Sequence, residues 1–152
     1  MVPVTIDPRV DIGHVHLRVA DLDRSLAFYE GLLGFELQTR TDWGAFLSAG
    51  GYHHHLALNT YYSAGAGPAP REAAGLHHFA IRYPTRDTLV AAVRTLMDAG
   101  VPVWQAADHG YSLAVYFRDP DDNGVELCWD RPRDEWRPDQ GLLDVHALIA
   151  GG

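Results

Sequence analysis

The sequence predicts an α+β fold: two tandem βαβββ modules forming a curved, mostly antiparallel open barrel. Three observations carry that expectation. First, the chain repeats itself, because Ile12-Gly13-His14-Val15-His16-Leu17-Arg18-Val19 aligns with Leu76-His77-His78-Phe79-Ala80-Ile81-Arg82-Tyr83, placing His14 over His78 and Arg18 over Arg82. Second, each copy is followed by an amphipathic stretch that ends at a glycine. Third, each glycine leads into three further short runs separated by turn residues. A module of about 60 residues buries too little surface to be stable alone, so the two should share a core.

Both repeat copies alternate apolar and polar residues, the pattern of a half-buried strand. Asp21 or Asp23 can cap a helix over 22–33, whose Leu22, Leu26, Tyr29 and Leu33 form one stripe. Gly34 stands where a left-handed residue commonly ends a helix. Strands are expected over 35–40, 43–48 and 53–60, with Gly50-Gly51 as the hairpin turn. Residues 62–74, rich in Gly, Pro and Ala, read as a linker. In the second module Thr85 or Asp87 caps a helix over 89–99, with Leu89, Val93, Leu96 and Met97 inward and Gly100 at its end. Strands over 101–105, 111–118 and 124–129 follow, the last pair turning through Asp119-Pro120-Asp121-Asp122-Asn123-Gly124. The expected organisation is one structural domain: a first module at 10–61, the linker, a second module at 75–130 and a tail at 131–152. The apolar stretch 142–149 of that tail can be a lid, an interface helix or a packed end.

Composition narrows the function. With 47% hydrophobic and 21% charged residues among 152, the chain can bury a core. Its 12 basic against 20 acidic residues, a net charge of −8, disfavour nucleic acid and anionic membrane as partners. It has no apolar run of about 18 residues, and residues 1–9 lack the basic-then-apolar order of a secretory signal. The single Cys128 excludes an internal disulfide and fits a reducing, cytoplasmic setting. Nine histidines are the outlier.

Their positions suggest a metal. His14 and His78 occupy matching places in the two repeats, so pseudo-symmetry would bring them near each other. Glu126 interrupts the apolar strand Gly124-Val125-Glu126-Leu127-Cys128-Trp129, where a carboxylate is costly unless paired or metal-bound. Two imidazoles and one carboxylate can hold a divalent ion with three positions open. Alternation along 53–60 would send His54 to one face and His53 and His55 to the other. His109 sits in a loop before Tyr116, and Tyr116 lies across a hairpin from Glu126. The competing reading of each residue is ordinary: a satisfied core or surface histidine, a solvent-facing glutamate, a packed tyrosine.

Ile12-Gly13-His14-Val15 through Asp21, Phe28-Tyr29 and Leu33-Gly34-Phe35 resembles the opening module of the vicinal oxygen chelate superfamily, which includes glyoxalase I, fosfomycin and bleomycin resistance proteins and extradiol dioxygenases. The segments Gly51-Tyr52-His53-His54-His55-Leu56, Gly75-Leu76-His77-His78-Phe79, Asp108-His109-Gly110 and Asp119-Pro120 to Glu126, followed by Asp130-Arg131-Pro132, are similar to small catechol 2,3-dioxygenase-like proteins. The resemblance implies His14, His78 and Glu126 as ligands of Fe(II), with Mn(II) an alternative. It implies His54 as an acid/base residue and His109 and Tyr116 as substrate-side hydrogen-bonding groups. It further implies a small aromatic diol and O2 as substrates, ring opening beside the diol, and a homodimer. His16, Trp43, Phe46, Tyr52, Trp104 and Trp129 are candidate pocket walls, while His77 should face away and be structural.

Two other functions are compatible with the scaffold. A glyoxalase-like isomerase or thiol transferase commonly needs a fourth Glu-like ligand near His55 or a basic thiol-binding patch, and neither is visible. A non-catalytic protein sequestering an aromatic compound often lacks the full His14, His78 and Glu126 set.

Overall fold

The repeated alternation turns Leu17 and Val19, like Phe79 in the second copy, into the interior and leaves His16 and Ala80 facing the other way. The computed structural model describes residues 4–151. It contains β1 (Val15–Arg18), α1 (Leu22–Leu26), β2 (Glu36–Arg40), β3 (Gly44–Ser48) and β4 (Leu56–Asn59), then β5 (His78–Arg82), α2 (Arg86–Asp98), β6 (Gln105–Asp108), β7 (Ser112–Arg118) and β8 (Gly124–Asp130). A 3₁₀ turn (Arg133–Glu135), β9 (Gly141–Leu142) and α3 (Val145–Ala150) follow.

The helix starts respond to their caps. Asp21 accepts a hydrogen bond from the Arg24 amide, and Thr85 and Thr88 form a reciprocal capping box. That box starts α2 at Arg86, ahead of its apolar stripe. α1 runs directly into a π-helical turn, Ala27–Leu32, closed by the Leu33 amide donating to the Phe28 carbonyl at 3.0 Å. The wider turn lets the successive Phe28 and Tyr29 both reach the core. Gly34 and Gly100 end the two helical segments at φ 78° each, a left-handed position that favours glycine.

The two sheets are mixed and open, ordered β1-β4-β3-β2 and β5-β8-β7-β6-β9. β1 with β4 and β5 with β8 are parallel; the other pairs are antiparallel. Register makes the modules equivalent position by position. Ala57 pairs with His16 and Phe46 in the first, as Glu126 pairs with Ala80 and Tyr116 in the second. Ala57 and Phe46 therefore hold the places that Glu126 and Tyr116 hold in the second module.

One core cluster spans both modules, with Leu26, Tyr29, Leu47 and Leu58 from the first and Phe79, Val93, Leu96, Phe117 and Leu127 from the second. Polar bonds also cross between them. The buried Tyr29 hydroxyl donates to the Asp119 carboxylate at 2.8 Å, and Asp121 accepts from the Ala20 amide and the Arg24 guanidinium.

Three features differ from the sequence expectation. The strand expected at 101–105 forms instead at Gln105–Asp108, because Pro102 has no N–H for a ladder and Val101 and Val103 pack directly on the core. β4 begins at Leu56 and not at His53, after a turn in which Gly50 and Gly51 are both left-handed, at φ 68° and 79°. β9 adds a short edge to β6. Of the three forms open to the apolar tail stretch, the structure has the packed end: Leu148 is buried in the main core, and Arg86 and Arg94 donate to the Gly151 and Ile149 carbonyls.

Candidate metal centre

Along β8 the side chains of Val125 and Leu127 enter the core beneath α2, so Glu126 and Cys128 project from the opposite face. β5 lies parallel beside them and pairs His78 with Gly124. A Cβ on Gly124 would fall 2.8 Å from the His78 Cβ and 2.4 Å from the His77 carbonyl oxygen. The missing side chain is what lets β5 approach and the imidazole lean toward Glu126. His78 Nε2 and Glu126 Oε2 stand 3.0 Å apart, with the Glu126 side chain only 12% exposed. His78 Nδ1 is buried and has no protein hydrogen-bond partner.

Tyr116 faces Glu126 across the β7–β8 pair, its ring edge-on to His78 with centroids 5.3 Å apart. Its hydroxyl shares a 3.1 Å hydrogen bond with His109 Nε2. Burial first, and then the Glu126 charge, push the Tyr116 phenol up to about 12, so it stays protonated in any working range. Cys128 lies under the same face, and burial pushes its thiol up to about 12 as well, which leaves it a poor metal ligand and nucleophile. Trp104 packs edge-on against Tyr116 at 6.0 Å beneath the Arg118 guanidinium. His77 precedes β5, is exposed, and lies edge-on to Trp104 and 5.2 Å from the His78 ring, so it does not face away from His78 as expected.

The first module gathers a second group. His14 lies against His54 with centroids 4.6 Å apart, and Phe46 stands edge-on to His54 at 5.2 Å. Desolvation, reinforced by the neighbouring His53, His14, His16 and His55, lowers the His54 pKa and favours its neutral form. His53 and His54 do not point to opposite faces: their Nδ1 atoms are 2.9 Å apart, because both precede β4 and escape strand alternation. His55 Nδ1 accepts from the Ala49 amide, a bond that closes the turn. His16 Nε2 bonds the Asn59 amide nitrogen at 2.8 Å and packs near Phe46. Sequence reasoning did not single out Asn59; its one signal is a polar residue closing the apolar strand β4.

Not every expected wall is near these groups. Tyr52 stacks obliquely on His53 and His55. Trp43 stacks on Tyr61 at 4.4 Å, while Trp129 packs against the main core because it shares the inward face with Val125 and Leu127. His14 and residues Phe79, Ala80 and Arg82 line a common cleft of about 280 Å³ between the modules, but His78 and Glu126 are not part of its lining.

The donors can be tested against a divalent ion. Metal–donor bonds of roughly 2.1 Å at right angles put two donor atoms about 3.0 Å apart, the spacing of His78 and Glu126. That pair fits adjacent positions on one octahedral ion. Among the described residues, however, no three His, Cys, Asp or Glu side chains gather closely enough to hold a metal. His14 packs with His54 just ahead of β1 and β4 of the other sheet, so the expected three-donor convergence differs from the arrangement observed. The reason is physical: strand pairing fixes two donors within one sheet, whereas the third depends on how two sheets are set against each other.

Comparison with known proteins adds the following. Residues 11–127 match the Glyoxalase/Bleomycin resistance protein/Dioxygenase superfamily. The chain is 40% identical to a catechol-2,3-dioxygenase of Bacillus subtilis over 85% of its own length and 45% of that protein's. It is 32% identical to biphenyl-2,3-diol 1,2-dioxygenase 3 of Rhodococcus globerulus, covering 84% of this chain and 66% of that one. It thus spans less than half of the first relative and about two thirds of the second. Identity is also 32% to the glutathione transferase FosA of Serratia marcescens, across 76% of this chain and 78% of that one. Among solved structures, a glyoxalase/dioxygenase from Nostoc punctiforme superposes with TM-score 0.67 at 19% identity, covering 87% of this chain and all of that one. That likeness concerns the fold.

Proposed function

Because the chain belongs to the glyoxalase/bleomycin resistance protein/dioxygenase superfamily, we propose that it is a metal-dependent extradiol dioxygenase that opens a catechol-type ring with O2. The observation that carries this reading is the His78–Glu126 donor pair, 3.0 Å apart and roofed by Tyr116 and His109. The relatives that cleave catechol or biphenyl diols support the substrate class. His78 and Glu126 would hold the ion, and His14, which stands with His54 in the first module's group, would be the third donor once brought to them; Fe(II) suits two imidazoles and a carboxylate, and Mn(II) is the alternative. The ion, when bound, supplies open positions for a chelating diol and O2.

The chain's own side chains supply the rest. His54, held in its neutral form, takes a proton from the incoming diol. Once protonated it stabilises negative charge developing on oxygen and returns the proton as the ring opens. Tyr116, protonated, and His109 together orient a diol oxygen through hydrogen bonds. Phe46 and Trp104 flank the two groups as apolar walls, and His16 bonded to Asn59 edges the first.

A homodimer in a cytoplasmic setting is part of this reading. β1 and β5 are outermost in their sheets, and Ile12 and Leu76, at matching places just ahead of them, are 85% and 59% exposed. No helix among the described residues is long and apolar enough to cross a membrane.

Anaerobic loading with Fe(II), followed by catechol and air, should give a yellow ring-opened product with matching oxygen uptake. Silence across a panel of substituted catechols would remove this reading. The match to a glutathione transferase favours thiol transfer as the second reading, which the same protein tests with glutathione and an electrophile.

A further inference from the structure

The turn that presents His109 is held from outside the second module. His109 itself is tied only to its own hairpin, its amide donating to the Ser112 carbonyl. The residue before it, Asp108, accepts a two-pronged bond from Arg131 at 2.7 and 2.8 Å and a third from Arg137 at 2.6 Å. Asp108 also accepts from the Gly110 amide at 2.9 Å. The segment 131–137, a strap across the turn, also bonds it through its backbone, since the Arg131 amide donates to the Tyr111 carbonyl and the Arg137 amide to the Gly110 carbonyl. Gly110 is left-handed at φ 80°, and a Cβ there would lie 2.2 Å from the Arg137 carbonyl oxygen. The crossing chain therefore lies directly on the turn.

The ring of His109 is held as well. It stacks on Tyr111 at an interplanar angle of 19°, and Tyr111 in turn packs on Trp136 of the strap. Trp136 is fixed by its indole N–H donating to the Arg131 carbonyl and by the Arg133 guanidinium over its ring. β9 then pairs Gly141 with Asp108. Planar two-pronged arginine–carboxylate contacts fix orientation as well as distance. The Arg131 side chain is only 11% exposed, which limits screening of its bond.

We propose that Arg131 and Arg137 are positioning residues: by gripping Asp108 they hold the turn at 109–111 so that His109 Nε2 stays on the Tyr116 hydroxyl. The consequence for turnover rests on the dioxygenase reading; the placement of His109 does not. Arg137 is half exposed, so it can be changed without opening a cavity.

The test uses Arg137→Ala, with Arg137→Gln carrying it should the first variant fail to fold. In metal-free protein, amide exchange at 109–111 should rise while exchange in α2 stays unchanged. The imidazole ¹⁵N signal of His109 Nε2 should move as it does in Tyr116→Phe. In Fe(II)-loaded protein kcat should fall roughly tenfold, the scale set by a small misplacement of a reacting group, with KM nearly constant and Arg137→Lys restoring part of the rate. In a His109→Ala background the Arg137 change should cost nothing more. An equal loss in both backgrounds, or unchanged exchange and ¹⁵N signals, would overturn the proposal. If wild-type protein opens no catechol ring, the dioxygenase reading fails, and the metal-free measurements decide the strap by themselves.

Discussion

Glu126 Oε2 and His78 Nε2 meet at 3.0 Å across the parallel pair β5–β8, in a gap that Gly124 leaves open. A carboxylate that is largely buried on an otherwise apolar strand is expensive unless a cation or a proton-bearing partner compensates it. Histidine offers Glu126 one hydrogen bond from Nε2 but does not by itself balance the charge. A divalent ion between the two would do so across the neutral pH range.

Removing either donor should therefore abolish tight metal binding. Glu126→Gln and His78→Ala are each expected to weaken Fe(II) or Mn(II) affinity by more than about 100-fold, read by metal content after dialysis and by calorimetric titration. The same loss is expected for His14→Ala. Wild-type affinity in that variant would show that another group supplies the third donor.

His54 touches His14 by ring packing only, so His54→Asn should keep its metal while kcat falls by about 10²-fold or more, the ordinary scale of acid/base catalysis. Parallel metal analysis and steady-state kinetics separate the two effects. A variant that loses the metal would place His54 among the ligands instead.

With its phenol pushed up to about 12, Tyr116 carries its proton throughout the working range. The basic limb of the rate profile should therefore not belong to it. Tyr116→Phe is expected to lower kcat by roughly tenfold while leaving the midpoints of the pH–rate profile between pH 6 and 10 in place.

The strap has a pH signature of its own. Hydrogen bonding from Arg131 holds the Asp108 carboxyl below its ordinary 3.8, against the opposing effect of burial. Because the folded value is depressed, the stabilisation is complete above the ordinary value and is lost as pH falls through the folded one. Asp108→Asn should cost about 2 kcal/mol at pH 7, as expected for bonds to a charged group. Urea melts of the two proteins should converge as the pH is brought well below the ordinary 3.8.

Tyr29→Phe tests the bond between the modules. It removes the buried donor to Asp119, a carboxylate that also accepts from the Asp121 and Asn123 amides and the Asn123 side chain. A loss of about 1.5–3 kcal/mol is expected in denaturant melts, with a single transition if the modules unfold together through their shared core.

Local chemistry was readable wherever one residue type decides the backbone. Asp21 and Thr85 cap helices, and Gly34 and Gly100 end them, as their side chains require. Other features escaped because they depend on partners distant in the chain. Neither arginine of the strap announces that it will close on Asp108. At His53 to His55 and at Val101 to Trp104 the sequence alternates but the strands do not extend, because Gly50-Gly51 and Pro102 interrupt the ladders there.

The sequence by itself determined the doubled βαβββ plan and the face on which His78, Glu126 and Tyr116 lie, since a period of two and a repeat leave those choices no freedom. Which groups actually touch was decided by tertiary structure. Strand register joins His78 to Glu126 inside one sheet, and a returning segment pins His109 on Tyr116. The setting of one sheet against the other governs where His14 lies. Contacts within a ladder follow from hydrogen-bond spacing, whereas contacts between sheets depend on how the whole core packs, which no local pattern encodes.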